Sequence, residues 1–295
     1  MSTARHGDVE IAYETLGTGG EPLIIALGVG VPLTMLPEGL GAELVGRGFH
    51  VALFDNRDTG LSTHFTDAPK PSVWKLLTQP GSGAAYTLDD MADDAVAVLD
   101  ALGWRRAHVV GFSQGGMTAQ KIATRHPSRV LTLTSIASTP SARIGRPSLA
   151  TIAAVLRSAR VKITDRTSHA EHLVALLPLV GTPTYPADEA AMRARADASY
   201  DRGGHDQAGL QRQSAAFQSS GDRRAELAGI TVPTLVIHGY EDRIIRPAGG
   251  AATAAAVPGA RLVTYPGMGN DVPRPLWPAI AEEIRATADR CEAGR

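Results

Sequence analysis

Six short apolar runs rich in β-branched residues recur along the chain, at 22–27, 50–54, 107–111, 130–136, 234–238 and 261–265. Each has the length of a strand buried on both faces, where no polar alternation survives. Helix-period segments lie between them. The clearest spans 88–102, where Met91, Ala95, Val98, Leu99 and Leu102 form one apolar stripe, Thr87 and Asp90 suit the capped start, and Gly103 suits the stop. Strand alternating with helix predicts an α/β fold: a mostly parallel sheet with right-handed crossovers placing helices on both faces. Residues 9–15, Val-Glu-Ile-Ala-Tyr-Glu-Thr, instead alternate like a half-exposed antiparallel edge strand.

The alternation lapses between 139 and about 224, where helix-like patterns continue without a strand run and Pro178, Pro183 and Pro186 punctuate them. We therefore expect one core domain, 1–139 and 226–295, with a helical cap inserted at 140–225. Most apolar residues of the cap, such as Leu156, Leu177 and Phe217, are expected to pack it against the sheet, and a minority to line a pocket. A chain of 295 residues with 43% hydrophobic composition can bury a core of that size. Basic and acidic side chains balance, 29 against 30, with no block of like charge. That balance leaves no electrostatic footprint for nucleic acid or anionic lipid, so the expected partner is a small molecule, with no nucleic acid and no membrane. One cysteine, Cys291, excludes an internal disulfide and a cysteine-based zinc cluster. The first eight residues lack an apolar stretch of signal-peptide length, so the expectation is a soluble, cytoplasmic protein.

Gly111-Phe112-Ser113-Gln114-Gly115-Gly116 follows the apolar run His108-Val109-Val110 and precedes a segment able to form a helix. In such a strand, sharp turn and helix, a serine takes a strained backbone position, and small residues two before and two after it prevent collision. The helix then aims its free N–H groups and positive dipole end at the reacting centre. Ser113 is the candidate nucleophile and the Gln114 amide a candidate oxyanion donor. The second donor is expected in Leu27-Gly28-Val29-Gly30, after an earlier strand, with Val29 donating and Gly28 shaping the turn. Asp242, in His238-Gly239-Tyr240-Glu241-Asp242, ends a strand and is the candidate acid, with Glu241 competing for the role.

Taken together, Phe54-Asp55-Asn56-Arg57-Asp58-Thr59-Gly60-Leu61-Ser62, the Gly-Phe-Ser-Gln-Gly turn, Val232-Pro233-Thr234-Leu235-Val236-Ile237-His238-Gly239 with Asp242, and Gly267-Met268-Gly269 resemble the α/β-hydrolase superfamily, in particular its aclacinomycin methylesterase-like branch. The resemblance covers nearly the whole chain. It implies an eight-stranded sheet with a helical cap, a Ser, Asp, His triad in that chain order, and structural roles for Asp55 and Arg57. It implies no metal and no organic cofactor.

In that family histidine follows Gly-Met-Gly; here the residue is Asn270. A carboxamide has no lone pair basic enough to take a serine proton at neutral pH. Three functions fit the pattern. The first is a carboxylesterase, for a methyl ester or similar ester of an apolar, polycyclic aromatic small molecule, impaired because Asn270 stands where the general base belongs. The second is a non-hydrolytic enzyme using the same pocket for a cyclisation, rearrangement, lyase or isomerase step. The third is a binding protein without turnover. None of His64, His126, His169, His172, His205 and His238 is expected to replace the missing base.

Overall fold

The computed structural model describes residues 2–71 and 82–293. Its centre is an eight-stranded sheet in the order β1-β2-β4-β3-β5-β6-β7-β8. The strands are β1 (Ser2–His6), β2 (Val9–Leu16), β3 (Glu21–Ala26), β4 (Phe49–Phe54), β5 (Ala107–Phe112), β6 (Val130–Ile136), β7 (Thr234–Gly239) and β8 (Arg261–Tyr265). From β4 to β8 every pairing is parallel, whereas β2 runs antiparallel to both β1 and β4. All six apolar runs are strands.

The strand at 9–15 is antiparallel, as expected, but it is not the edge. That position belongs to β1, whose polar sequence Ser-Thr-Ala-Arg-His hides it; the Gly7-Asp8 turn, with Gly7 at φ 59°, is the signal that marks the hairpin. Only Ala4 of β1 is buried, because an edge strand on a half-covered margin needs few apolar residues.

The central strands read as continuous apolar runs because alternate residues enter two different cores. Ile24, Ala26, Ala52, Phe54 and Val109 join one cluster, beneath helices α2 (Leu88–Ala101) and α3 (Gln114–Arg125). Leu23, Ile25, Val51, Leu53 and Val110 join the other, beneath α1 (Glu38–Gly46) and α10 (Trp277–Ala293). Helix α2 starts with a reciprocal capping box between Thr87 and Asp90 and ends before Gly103 at φ 68°.

Between β6 and β7 lie α4 (Leu149–Ser158), α5 (Arg166–Val180), α6 (Glu189–Asp201), α7 (Gln207–Ser219) and the single turn α8 (Arg224–Leu227). Phe217 and Ala216 of α7 pack with Tyr86, Met91, Met117 and Ile245, joining this segment to the sheet's helices. Helix α4 is different: Thr151 is its one buried residue, and Leu149 and Val155 face solvent. Helix α9 (Ala248–Ala256) then crosses from β7 to β8. No helix among the described residues is long and apolar enough to cross a membrane.

Candidate active site

Strand β5 runs into Ser113 and directly on into α3. Ser113 sits at φ 54°, ψ −117°, a backbone region that a Cβ disfavours. Its neighbours hold it there: its N–H donates to Ile136 O at 2.9 Å, and its own carbonyl accepts from Ser138 Oγ at 2.7 Å and Gly116 N at 3.0 Å. The flanking glycines are steric necessities. A Cβ on Gly111 would lie 2.1 Å from Gly115 O, and one on Gly115 would lie 2.0 Å from Ala26 O. The turn therefore presses against the end of β3.

The loop after β3 passes beside the serine, since a Cβ placed on Gly28 would lie 3.6 Å from Ser113 Cβ. Two of its amides are already used: Val31 N donates to Gly28 O at 3.2 Å and Gly30 N donates to Gln213 Oε1 at 2.7 Å. Val29 N–H has no partner among the described residues, and neither has Gln114 N–H at the start of α3. Both amides belong to segments that flank Ser113, the loop after β3 on one side and the start of α3 on the other.

Asp242 follows β7 and is buried, whereas Glu241 is exposed and makes no side-chain hydrogen bond among the described residues. Asp242 Oδ1 accepts from Ile244 N at 2.8 Å and Ile245 N at 2.9 Å. Asp242 Oδ2 accepts from Asn270 Nδ2 at 2.8 Å. An ionised carboxylate can only accept, so the amide nitrogen must face it, leaving Asn270 Oδ1 as the outward polar atom. The structure thus brings 242 and 270 into direct contact. It places 113 two strands away in the sheet order, at the same carboxyl edge.

The loop carrying Asn270 is fastened to the end of α5. Asn270 N and Asp271 N both donate to Val180 O, at 2.7 and 3.2 Å, and Thr182 Oγ1 donates to Gly267 O. Burial, aided by the charge of Asp242, pushes the Asp271 carboxyl up to about 6. Sequence reasoning missed Asp271 and Gln213. Asp271 directly follows Asn270, whereas nothing local marks Gln213, whose partners lie elsewhere in the chain.

Asp55 and Arg57, implied as structural, are buried in polar contacts. Asp55 accepts from Leu33 N, Leu61 N and Arg202 Nε, and Arg57 makes a two-point pair with Asp94 at 2.6 and 2.7 Å. Asp58, next along, accepts two bonds from Arg212 of α7, at 2.8 and 2.7 Å, and one from Tyr86 Oη at 2.7 Å.

His64, His126, His169, His205 and His238 are occupied elsewhere. His64 Nδ1 bonds Asp206 Oδ2 at 2.7 Å and its Nε2 bonds Gly60 O at 3.1 Å, a pairing that raises its pKa. His238 Nε2 donates to Ile245 O at 2.7 Å from behind the acid, at 3.5 Å from Asp242 Oδ2. His169 lies buried against Ser199, His205 stacks on Tyr200, and His126 bonds Asp93. Among the described residues no histidine hydrogen-bonds to Ser113. Asp58, His64 and Asp206 bring donor atoms within 4.8 Å of one another, the spacing of a cation site. Arg212 and Tyr86 already saturate Asp58, so a metal would have to displace a guanidinium.

A family model described as the alpha/beta hydrolase fold matches residues 35–272. The chain is 30% identical to the rhodomycin D methylesterase of Streptomyces peucetius, and equally to that of Streptomyces sp. strain C5, over 95% of this chain and 96% of each relative. The chain belongs to the α/β-hydrolase family. Within it the relatives and neighbours mark an esterase-type hydrolase. Similar solved structures include a hydrolase from Pseudomonas aeruginosa PA01, with TM-score 0.69, 27% identity and 97% of both chains covered. The enol-lactonase from Burkholderia xenovorans LB400 aligns with TM-score 0.68 and 25% identity, over 99% of this α/β hydrolase and 100% of the lactonase.

Proposed function

We propose that this α/β hydrolase recognises a methyl ester, or a similar ester, of an apolar, polycyclic aromatic small molecule, and that Asn270 holds its hydrolytic turnover far below that of a histidine-bearing site. The contact between Asn270 Nδ2 and Asp242 Oδ2, at 2.8 Å, carries the proposal. It is the bond a triad imidazole would make with its acid, made instead by a group that cannot accept a proton. Two rhodomycin D methylesterases among the relatives support the methyl-ester class.

In this reading Ser113 Oγ attacks the ester carbonyl, and the Val29 and Gln114 amides receive the oxyanion. With histidine at 270, the imidazole takes the serine proton and passes it to the leaving alkoxide; Asp242 holds the ring. The acyl-enzyme is then hydrolysed by water activated in the same way. With asparagine, the serine proton has no acceptor. Loss of the triad histidine costs about a million-fold in a protease of the same chemistry, while the oxyanion donors retain a residual acceleration. The helices from α4 to α7, within 140–225, form the cap that supplies the apolar side of the pocket.

Binding and conversion of methyl esters with fused aromatic bodies test this directly. By calorimetry and chromatography, the chain should bind them and leave them intact, and Asn270→His should release acid and methanol. A product of altered connectivity formed without water would instead establish the non-hydrolytic reading.

A further inference from the structure

We infer that Gln213, on α7, is the positioning residue of the oxyanion hole, holding both donor segments from one point; the inference rests on the reading of Val29 and Gln114 as the donors. Gln213 is fully buried. Its Oε1 accepts from Gly30 N at 2.7 Å, in the peptide next to Val29. Its main-chain carbonyl accepts from Gln114 Nε2 at 2.8 Å, on the residue that supplies the other donor. Its own Nε2 donates to Arg57 O at 2.7 Å and Thr59 Oγ1 at 2.6 Å, which fixes the amide's orientation. Only a carboxamide offers one acceptor and two donors in this order; a carboxylate lacks the donors and an aliphatic side chain lacks both.

Among the described residues Gly30 N is bound only to Gln213. Without that bond the stretch 28–31 keeps, among the described residues, its Val31 to Gly28 turn bond alone, and Gly30, at φ 66°, is free to let the peptide rotate. Helix α7 is a firm support for this role. Arg212 pairs with Asp58, Asp206 caps the helix start, and a Cβ on Gly209 would lie 2.4 Å from Asp58 O. An oxyanion hole works because its donors are fixed before charge develops, and a buried amide bonded on all sides meets that requirement.

The test uses the Asn270→His chain as parent, with Gln213→Met, which keeps length without polarity, and Gln213→Glu, which keeps the acceptor. For an activated aryl ester, Gln213→Met should lower kcat about tenfold or more with KM within about threefold. Affinity for a trifluoromethyl ketone, which binds serine as an oxyanion, should fall in parallel. Gln213→Glu should recover towards the parent as pH falls and the carboxyl protonates. Urea midpoints of the same samples separate these effects from loss of fold. Unchanged kcat and ketone affinity in both folded variants, beside an active parent, would overturn the role of Gln213 alone. An inactive parent would overturn the esterase reading and this inference with it.

Discussion

In the proposed site a single functional group at position 270 separates a proton relay from a hydrogen bond. The amide reproduces the donor that Asp242 needs, so the acid stays paired, but it supplies no base to Ser113. Ser113 itself depends on its glycines. Gly115→Ala should cost about 3 kcal/mol of stability, read from urea unfolding, because the new methyl meets Ala26 O in the backbone of β3 rather than a side chain that can yield. Ser113, Asp242 and Asn270 were legible because each sits in a short strand-and-turn pattern. Gln213 was not. It bonds Gly30 across 183 residues and Arg57 across 156, and in its own helix it is one more polar residue among Gln211, Ser214 and Gln218.

Between elements, the decisive contacts join α7 to the loop after β4. The Arg212 and Asp58 side chains are almost wholly buried, so removing one leaves the other charged and unpaired. Arg212→Met should cost about 3 kcal/mol, and adding Asp58→Asn should restore part of that loss, a coupling measurable as a double-mutant cycle in urea. The neighbouring His64 and Asp206 pair responds to pH. His64 is raised above its ordinary 6.5 by its bond to Asp206, so its contribution is complete below about 6.5 and fades as pH climbs through the folded value. Burial works to raise Asp206, but His64 and the Gly209 amide hold it at about 2, so its contribution is complete above about 4 and disappears towards pH 2. His64→Gln should therefore lose about 1 kcal/mol at pH 6 and progressively less as pH rises, followed by thermal unfolding. Apolar strands and the capped α2 were readable from pattern, whereas β1 was not: an edge strand with one buried residue carries no hydrophobic signal.

Over the whole molecule, a doubly covered parallel sheet gathers residues from distant parts of the sequence at one edge. The ends of β3, β5, β7 and β8 deliver the Val29 loop, Ser113, Asp242 and Asn270 in turn, and α5 and α7 hold two of those loops from outside the sheet. Fold class was legible from alternation alone, because strands buried on both faces leave continuous apolar runs. Helix-rich segments between β6 and β7 were legible as helices, but their contacts with the site were not, since periodicity reports which residues share a face and not what that face meets. What the proposed site lacks is a proton acceptor for Ser113. The decisive measurement is turnover of an activated aryl ester at pH 8 by the chain and by Asn270→His. For Asn270→His, kcat/KM should rise on the order of 10⁴-fold or more, and adding Ser113→Ala should abolish the gain. Equal rates for the chain and for Asn270→His would contradict that reading of position 270.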